Sequence, residues 1–385
     1  MNYQGVVLTG TSGAGKTTIT RLLERGFFKQ VQAVTTRQSR QDDRNEYEYL
    51  SQEKFDEKVT LGELVIKTKY RNFYYGITKN AVLKVINEGK IPILVITPHA
   101  ASEYSKINGE FNFLSIFIDA NDSELDKRLT LRGDPVDGAS RERRLDDRRY
   151  RDDFLYHMIN NSAEKTCGLI EGLWEYRLSS GVLSKRIISL MLECGMLLHK
   201  ASQENVKGAS YDLSLGDEFY YKGKIEYLTE KSPFLLIEPY DYVVTTSKEL
   251  TDFPRDITGR FDLSVSLFCQ GIILSNGPCV DPGFRGRLFC LLFNTSNAPI
   301  YLKRGQHYAT LEVSKLIEPT IAYSGKYQDK NSIVDYLPTN ALQGGINELK
   351  KELESIKQRN EHLQTAVSGA VAIFLAVLAI LLTIK

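Results

Sequence analysis

The rhythm of hydrophobic and polar positions changes three times along this chain. From residue 1 to about 178, apolar runs at Gly5 to Leu8, Ile91 to Ile96 and Phe113 to Ile118 alternate with stretches of helical spacing, such as Ile19, Leu22 and Leu23. Short apolar runs separated by helical segments predict buried strands of a parallel sheet in an α/β domain. Beyond Ser180 the texture turns to β. "GVLSKRIISLMLECGMLLHK" predicts an opening helix, and "FLLIEPYDYVVTTS", "FDLSVSLFCQGIIL" and "RGRLFCLLFN" predict short strands between Gly, Pro and Asn turns. A mainly β domain over 181–337 follows. Further on, Ile346, Leu349, Leu353, Ile356, Asn360 and Leu363 recur at steps of three and four. That is the a/d spacing of a coiled coil over 345–365, with Asn360 as a polar register-setting residue. The nineteen residues Ala366 to Ile384 carry no charge. At about 1.5 Å per residue they match the roughly 30 Å of a bilayer core and predict one transmembrane helix over 366–384.

The strongest chemical signal sits between the first strand and the first helix. The loop reads Gly10-x-x-x-x-Gly15-Lys16-Thr17, with Gly13 inside it and Thr18 after it. Such a loop aims backbone N–H groups at phosphate oxygens, its lysine reaches the β/γ-phosphates, and its Thr hydroxyl serves Mg²⁺. Gly10, Gly13, Gly15, Lys16, Thr17 and Thr18 are therefore the expected ATP-binding residues, with Thr17 toward the metal. Further cations follow at Arg37, Arg40, Arg128, Arg132, Arg141, Arg143 and Arg144. Phosphoryl transfer uses cations to hold the negative charge spread over the transferring group.

Bulk charge adds little, because 49 basic and 48 acidic residues leave a net +1. No nucleic-acid partner is expected on that ground. The five cysteines are widely spaced without C-x-x-C pairs, which points to reduced thiols in a cytoplasmic compartment and to no structural metal.

With these residues in place, the first domain resembles the guanylate kinase family. The loop, the T-T-R-x-x-R segment ending at Arg40, the Y-Y-G turn at Tyr74 to Gly76 and the R-L-x-x-R-G stretch ending at Gly133 occur in the family's order. The resemblance implies ATP and Mg²⁺ as cofactors. It assigns Arg37, Arg40, Tyr47 and Tyr75 to the acceptor's phosphate and Arg128, Arg132 and Arg144 to the donor and lid. Lys16, Arg37, Arg40, Arg132 and Arg144 are the expected catalytic set. Four positions depart from the pattern: Ile66 stands where the family has a guanine-reading Glu, Ala33 replaces a Ser, and Val95 and Thr97 replace two aspartates. An isoleucine cannot accept the N–H bonds of a guanine edge. Related ribose bisphosphate kinases share the loop and the Y-Y-G turn and take an acceptor without a base.

Residues from about 181 to 328 are similar to the dCTP deaminase and dUTPase superfamily, through "LSKRII", "ASYDLSLG", "VDPGFRG" and "SGKYQ" in order. That resemblance implies a homotrimer with sites between subunits. It also implies a second nucleotide site around Ser266, Asp281, Gln306, Lys326 and Gln328. The catalytic residues are replaced: the arginine-bearing segment reads Leu263 to Cys269, and the general-base position falls on Leu291. Deamination needs a group that activates water, so none is expected. The chain then reads as a membrane-anchored, ATP-dependent phosphotransferase acting on a nucleoside monophosphate or sugar phosphate, with a degenerate deaminase-like domain that binds a (deoxy)nucleotide. The alternative is a nucleotide-sensing membrane effector, for example in cell defence, with little turnover.

Overall fold

The computed structural model describes residues 3–39, 46–70, 72–106, 111–337 and 346–383; in the last helix it describes side chains for 351–376. The apolar strand Gly5–Gly10 is buried at every position. It sits in the middle of a five-stranded sheet ordered Phe28–Gln30, Ile91–Val95, Gly5–Gly10, Phe113–Asp119, Tyr156–Ile159. Every pairing in that sheet is parallel, as the alternating pattern predicts. A parallel sheet gathers its functional groups at the carboxyl ends of its strands, here Gly10, Val95 and Asp119. Helix Gly138–Arg148 follows that edge, its first turn capped by the Asp137 side chain, which accepts from the Ser140 N–H at 2.8 Å.

A second, four-stranded sheet was not expected from the apolar pattern. Its order is Tyr47–Tyr49, Ala33–Thr35, Phe73–Thr78, Leu64–Tyr70. These strands are short or rich in tyrosine, so no apolar run announces them, and they form a wall beside the phosphate loop.

The β domain folds as a nine-stranded sheet, most of it ordered Gly181–Val182, His307–Lys315, Ser210–Tyr221, Tyr242–Asp252, Arg285–Asn294, Ile272–Ser275. Strand Arg285–Asn294 alternates half-buried and buried residues without a break, the period of two expected of a strand with one face in the core. The stretch predicted as one opening helix divides into helix Lys185–Glu193 and strand Leu197–His199, separated at Gly195, whose φ of +70° ends the helix.

The two domains share one hydrophobic core. Val6, Ile19 and Ile170 of the first pack in the same cluster as Ile187, Met191, Leu213 and Leu292 of the second. Across the seam, the Ile159 N–H donates to the Cys194 carbonyl at 2.8 Å, and the Tyr156 hydroxyl donates to Asp256 Oδ2 at 2.5 Å.

The chain ends in one continuous helix, Ile346–Thr383. Leu353, Ile356 and Leu363 of the heptad pattern are exposed on it, so the coiled coil is not shown. The expected bilayer span over 366–384 is not supported either: among the described residues no helix is long and apolar enough to cross a membrane. The remainder of that run, from residue 377 on, lies outside the residues with described side chains.

Candidate active site

The loop is built by backbone constraints that only its own sequence meets. Gly10 has φ +128°, and a Cβ there would lie 1.9 Å from the Ile118 carbonyl oxygen, so no other residue fits. Gly15, at φ +92°, begins helix Lys16–Leu23. The loop is braced from behind. Asn160 Nδ2 donates to the Ala14 carbonyl at 2.7 Å, and Arg128 Nη1 reaches the same oxygen at 3.3 Å. Thr11 Oγ1 donates to Asp119 Oδ1 at 2.8 Å.

Lys16 turns back onto the loop, with Nζ donating to the Gly10 and Thr11 carbonyls at 2.7 and 2.8 Å. Burial pushes its pKa down from 10.5 to about 8, against the raising influence of the nearby Asp147. Asp147, on helix Gly138–Arg148, lies near Lys16, and burial lifts its pKa to about 6, opposed by the lysine's charge.

Beneath the loop lies a cavity of about 330 Å³. Lys16, Arg37, Tyr47, Tyr75 and Asp147 line it, and Asp147 is its one carboxylate among the described residues. The Arg37 guanidinium lies over the Tyr47 ring at 4.9 Å from its centroid, and the Tyr47 and Tyr75 rings meet edge to face at 6.0 Å. The structure thus unites four of the sequence-predicted residues. Ile66, Ala33, Val95 and Thr97 line the same cavity, so the departures from the guanylate kinase pattern fall on its walls.

Other expected site residues lie elsewhere. Arg40 is outside the described residues. Arg132 is exposed and paired with Asp134 at 2.5 Å. Arg144 is buried in an ion pair with Asp126 at 2.7 Å that fastens helix Gly138–Arg148, here termed the lid helix, to helix Asp122–Leu131. Thr17 and Thr18 are exposed on the first turn of their helix. Asp147 received no role from sequence. Its signal, an Asp pair inside the basic stretch "RERRLDDRR", reads equally as solvated surface charge.

An ATP-bound Mg²⁺ takes most of its ligands from phosphate and water. The donors available here fit that habit: the Thr17 hydroxyl and the Asp147 carboxylate, with no cluster of three His, Cys, Asp or Glu able to hold a metal among the described residues.

In the β domain the residues expected at a second nucleotide site are dispersed. Asp281 lines a cavity of about 170 Å³ with Tyr323 and Tyr327. Both ends of the Gln328 amide are used on backbone, accepting from Arg285 N at 3.0 Å and donating to Gly283 O at 2.9 Å. Gln306 accepts from Lys303 N, while Ser266 and Lys326 are exposed.

Residues 2–175 match the guanylate kinase family, and residues 182–316 match the dCTP deaminase-like family. A guanylate kinase of Trichormus variabilis is 35% identical over 176 residues, covering 43% of this chain and 86% of the relative. A dCTP deaminase of Pyrococcus horikoshii is 34% identical over 140 residues, covering 36% of this chain and 88% of the relative. A dUMP-forming dCTP deaminase of Aquifex aeolicus is 30% identical over 166 residues, covering 40% and 92%. These matches cover most of each relative, so this chain belongs to the guanylate kinase family through its first domain and to the dCTP deaminase-like family through its second.

Proposed function

We propose that the first domain transfers a phosphoryl group from ATP to a small phosphomonoester, a nucleoside monophosphate or a sugar phosphate. One observation carries this reading: the loop's Lys16 and the Arg37, Tyr47 and Tyr75 cluster line one cavity, so donor and acceptor phosphates would meet there. In this reading Arg37 binds the acceptor phosphate, Tyr47 and Tyr75 orient it, and Lys16 swings from the Gly10 and Thr11 carbonyls to the β/γ-phosphates. The Asp147 carboxylate, which lines the same cavity, moves aside when the triphosphate enters. Mg²⁺, held beside Thr17 and Asp147, would offset charge on the phosphates. The apolar wall around Ile66 favours an acceptor whose base makes no polar edge contact there, or one that has no base. Assaying the full chain with ATP and a panel of monophosphates and sugar phosphates tests it.

A second reading is favoured by one specific arrangement. Lys16 is bound to its own loop, the Asp147 carboxylate lines the cavity beside it, and the strand end at Val95 to Thr97 carries no carboxylate. A site of this kind suits a nucleotide sensor that binds ATP and turns over little. In either reading the β domain is proposed to hold a nucleotide without deaminating it, and to form a trimer as its resemblance implies. Membrane association rests on the uncharged run from Ala366 to Ile384 alone. Fractionation of the full-length protein decides it, and recovery in the soluble fraction would count against it.

A further inference from the structure

A cavity of about 430 Å³ lies at the seam between the two domains and shares no lining residue with the cavity beneath the phosphate loop. Arg151 and His157 reach it from the first domain, and Phe253, Arg255, Arg285 and Tyr323 from the second. Neither half of the chain forms it alone.

Its charges do not cancel. Arg285 is satisfied by Asp152 and Asp329, both at 3.0 Å, and Arg151 also engages Asp152 at 3.2 Å. Asp252, the other acid in the wall, faces His199 at 3.2 Å. Arg255 makes no ion pair, although its charge acts on the adjacent buried Asp256 carboxylate and lowers that group's pKa against the larger effect of burial. Among the described residues no carboxylate lies within 4.0 Å of Arg255, its Nη2 makes a long 3.4 Å bond to the Asp153 carbonyl, and its buried Nε has no hydrogen-bond partner. A guanidinium N–H kept from water without an acceptor is costly, and an oxyanion presented along the guanidinium edge would recover that cost. His157 supplies a further polar group. Its Nε2 is buried without a hydrogen-bond partner and stands 4.0 Å from Asp119 Oδ2, and burial together with Arg151 lowers its pKa against the raising influence of Asp119. Phe253 and Tyr323 add flat apolar surface.

We propose that the seam cavity binds a small oxyanion, phosphate or carboxylate, carried on a flat apolar group, with Arg255 holding the oxyanion and Phe253 and Tyr323 flanking the flat group. The ligand bridges the two domains. Because the cavity is separate from the loop, the proposal stands whether or not the first domain turns over.

The test is a titration of the full chain carrying ¹³C-labelled histidine, following the His157 ring resonance, which a His157→Asn variant assigns among the five histidines. Phenyl phosphate and benzoate serve as probes, and their relative strengths distinguish a phosphate ligand from a carboxylate one. The expected result is a saturable movement of the His157 resonance with at least one probe. Arg255→Gln should weaken that binding about tenfold or more, whereas Arg37→Ala at the other cavity should leave it unchanged. If Arg255→Gln proves unfolded by circular dichroism, Arg255→Lys keeps the charge but loses the fork, and should weaken binding about threefold. No saturable movement with either probe up to about 10 mM, or movement indifferent to the Arg255 variants, would overturn the proposal.

Discussion

Asp119 and Arg148 form a two-pronged ion pair, Nε to Oδ2 at 2.7 Å and Nη2 to Oδ1 at 3.2 Å, which joins the lid helix to the end of a central strand. The same carboxylate accepts the Thr11 hydroxyl, so lid, strand and phosphate loop meet at one buried group. Arg148→Ala would leave Asp119 with the Thr11 hydroxyl and the Ala120 N–H but without its counter-charge. A carboxylate stranded in this way is expected to cost about 3 kcal/mol. Urea unfolding of the variant should show the loss as a lower midpoint at unchanged slope, and Arg148→Lys should recover part of it.

The burial of Lys16, with Asp147 nearby, sets a pH dependence. Folded Lys16 releases its proton near pH 8 and the unfolded chain near 10.5. Between those values the unfolded state binds more protons, so this residue's contribution to stability rises with pH while its charge on the loop is lost. Affinity for a fluorescent ATP analogue should therefore fall as pH rises through about 8. Asp147→Asn removes a carboxylate that raises the lysine's pKa, so the fall should move to lower pH. A flat profile from pH 7 to pH 9 would show that the lysine charge does not contribute to binding.

The seam between the domains predicts their folding behaviour. Because both domains contribute to one core, thermal unfolding should be a single transition seen alike by far-ultraviolet circular dichroism and by the fluorescence of Trp174, the one tryptophan. Tyr156→Phe leaves buried Asp256, whose pKa burial already raises, without the tyrosine's proton. A loss of about 1–3 kcal/mol is expected. Two separate transitions in the unaltered protein would contradict a shared core.

How much of this was legible in the sequence differs between the two halves of the candidate site. The donor half was readable because a phosphate loop is local: Gly10 to Thr17 are consecutive, and the chemistry resides in backbone N–H groups set by glycine dihedrals. The acceptor half was readable only through resemblance. Arg37, Tyr47 and Tyr75 come together through the small four-stranded sheet, whose pairings, Ala33 with Tyr47 and Thr35 with Tyr75, no periodicity discloses. Asp147 was missed because its role depends on how a charged helix lies over the loop. The arginines around it divide for the same reason, Arg144 of that helix into a buried ion pair and Arg132, at the end of helix Asp122–Leu131, into solvent. The β texture of the second domain was plain from its alternation, but the seam cavity depends on domain docking that no motif encodes.

The apolar wall of the acceptor cavity predicts weak base discrimination. Ile66 is buried and Ala33 carries no hydrogen-bonding side chain, so neither can reward a guanine edge or penalise its absence. Values of kcat/KM for GMP, AMP, CMP and dTMP should agree within about tenfold. A preference for GMP of a hundredfold or so would mean that polar groups outside this wall read the base.

The most direct test of the account is ADP production by the purified full chain, followed with ATP and Mg²⁺ alone and then with each monophosphate and sugar phosphate added. The expected result is ADP formed in step with one class of phosphorylated acceptor. Both Lys16→Ala, which removes the donor contact, and Arg37→Ala, which removes the acceptor contact, should lower the rate at least about a hundredfold while leaving the fold intact. ATP bound with ordinary affinity but no ADP formed with any acceptor would contradict phosphoryl transfer and leave the sensor reading in its place.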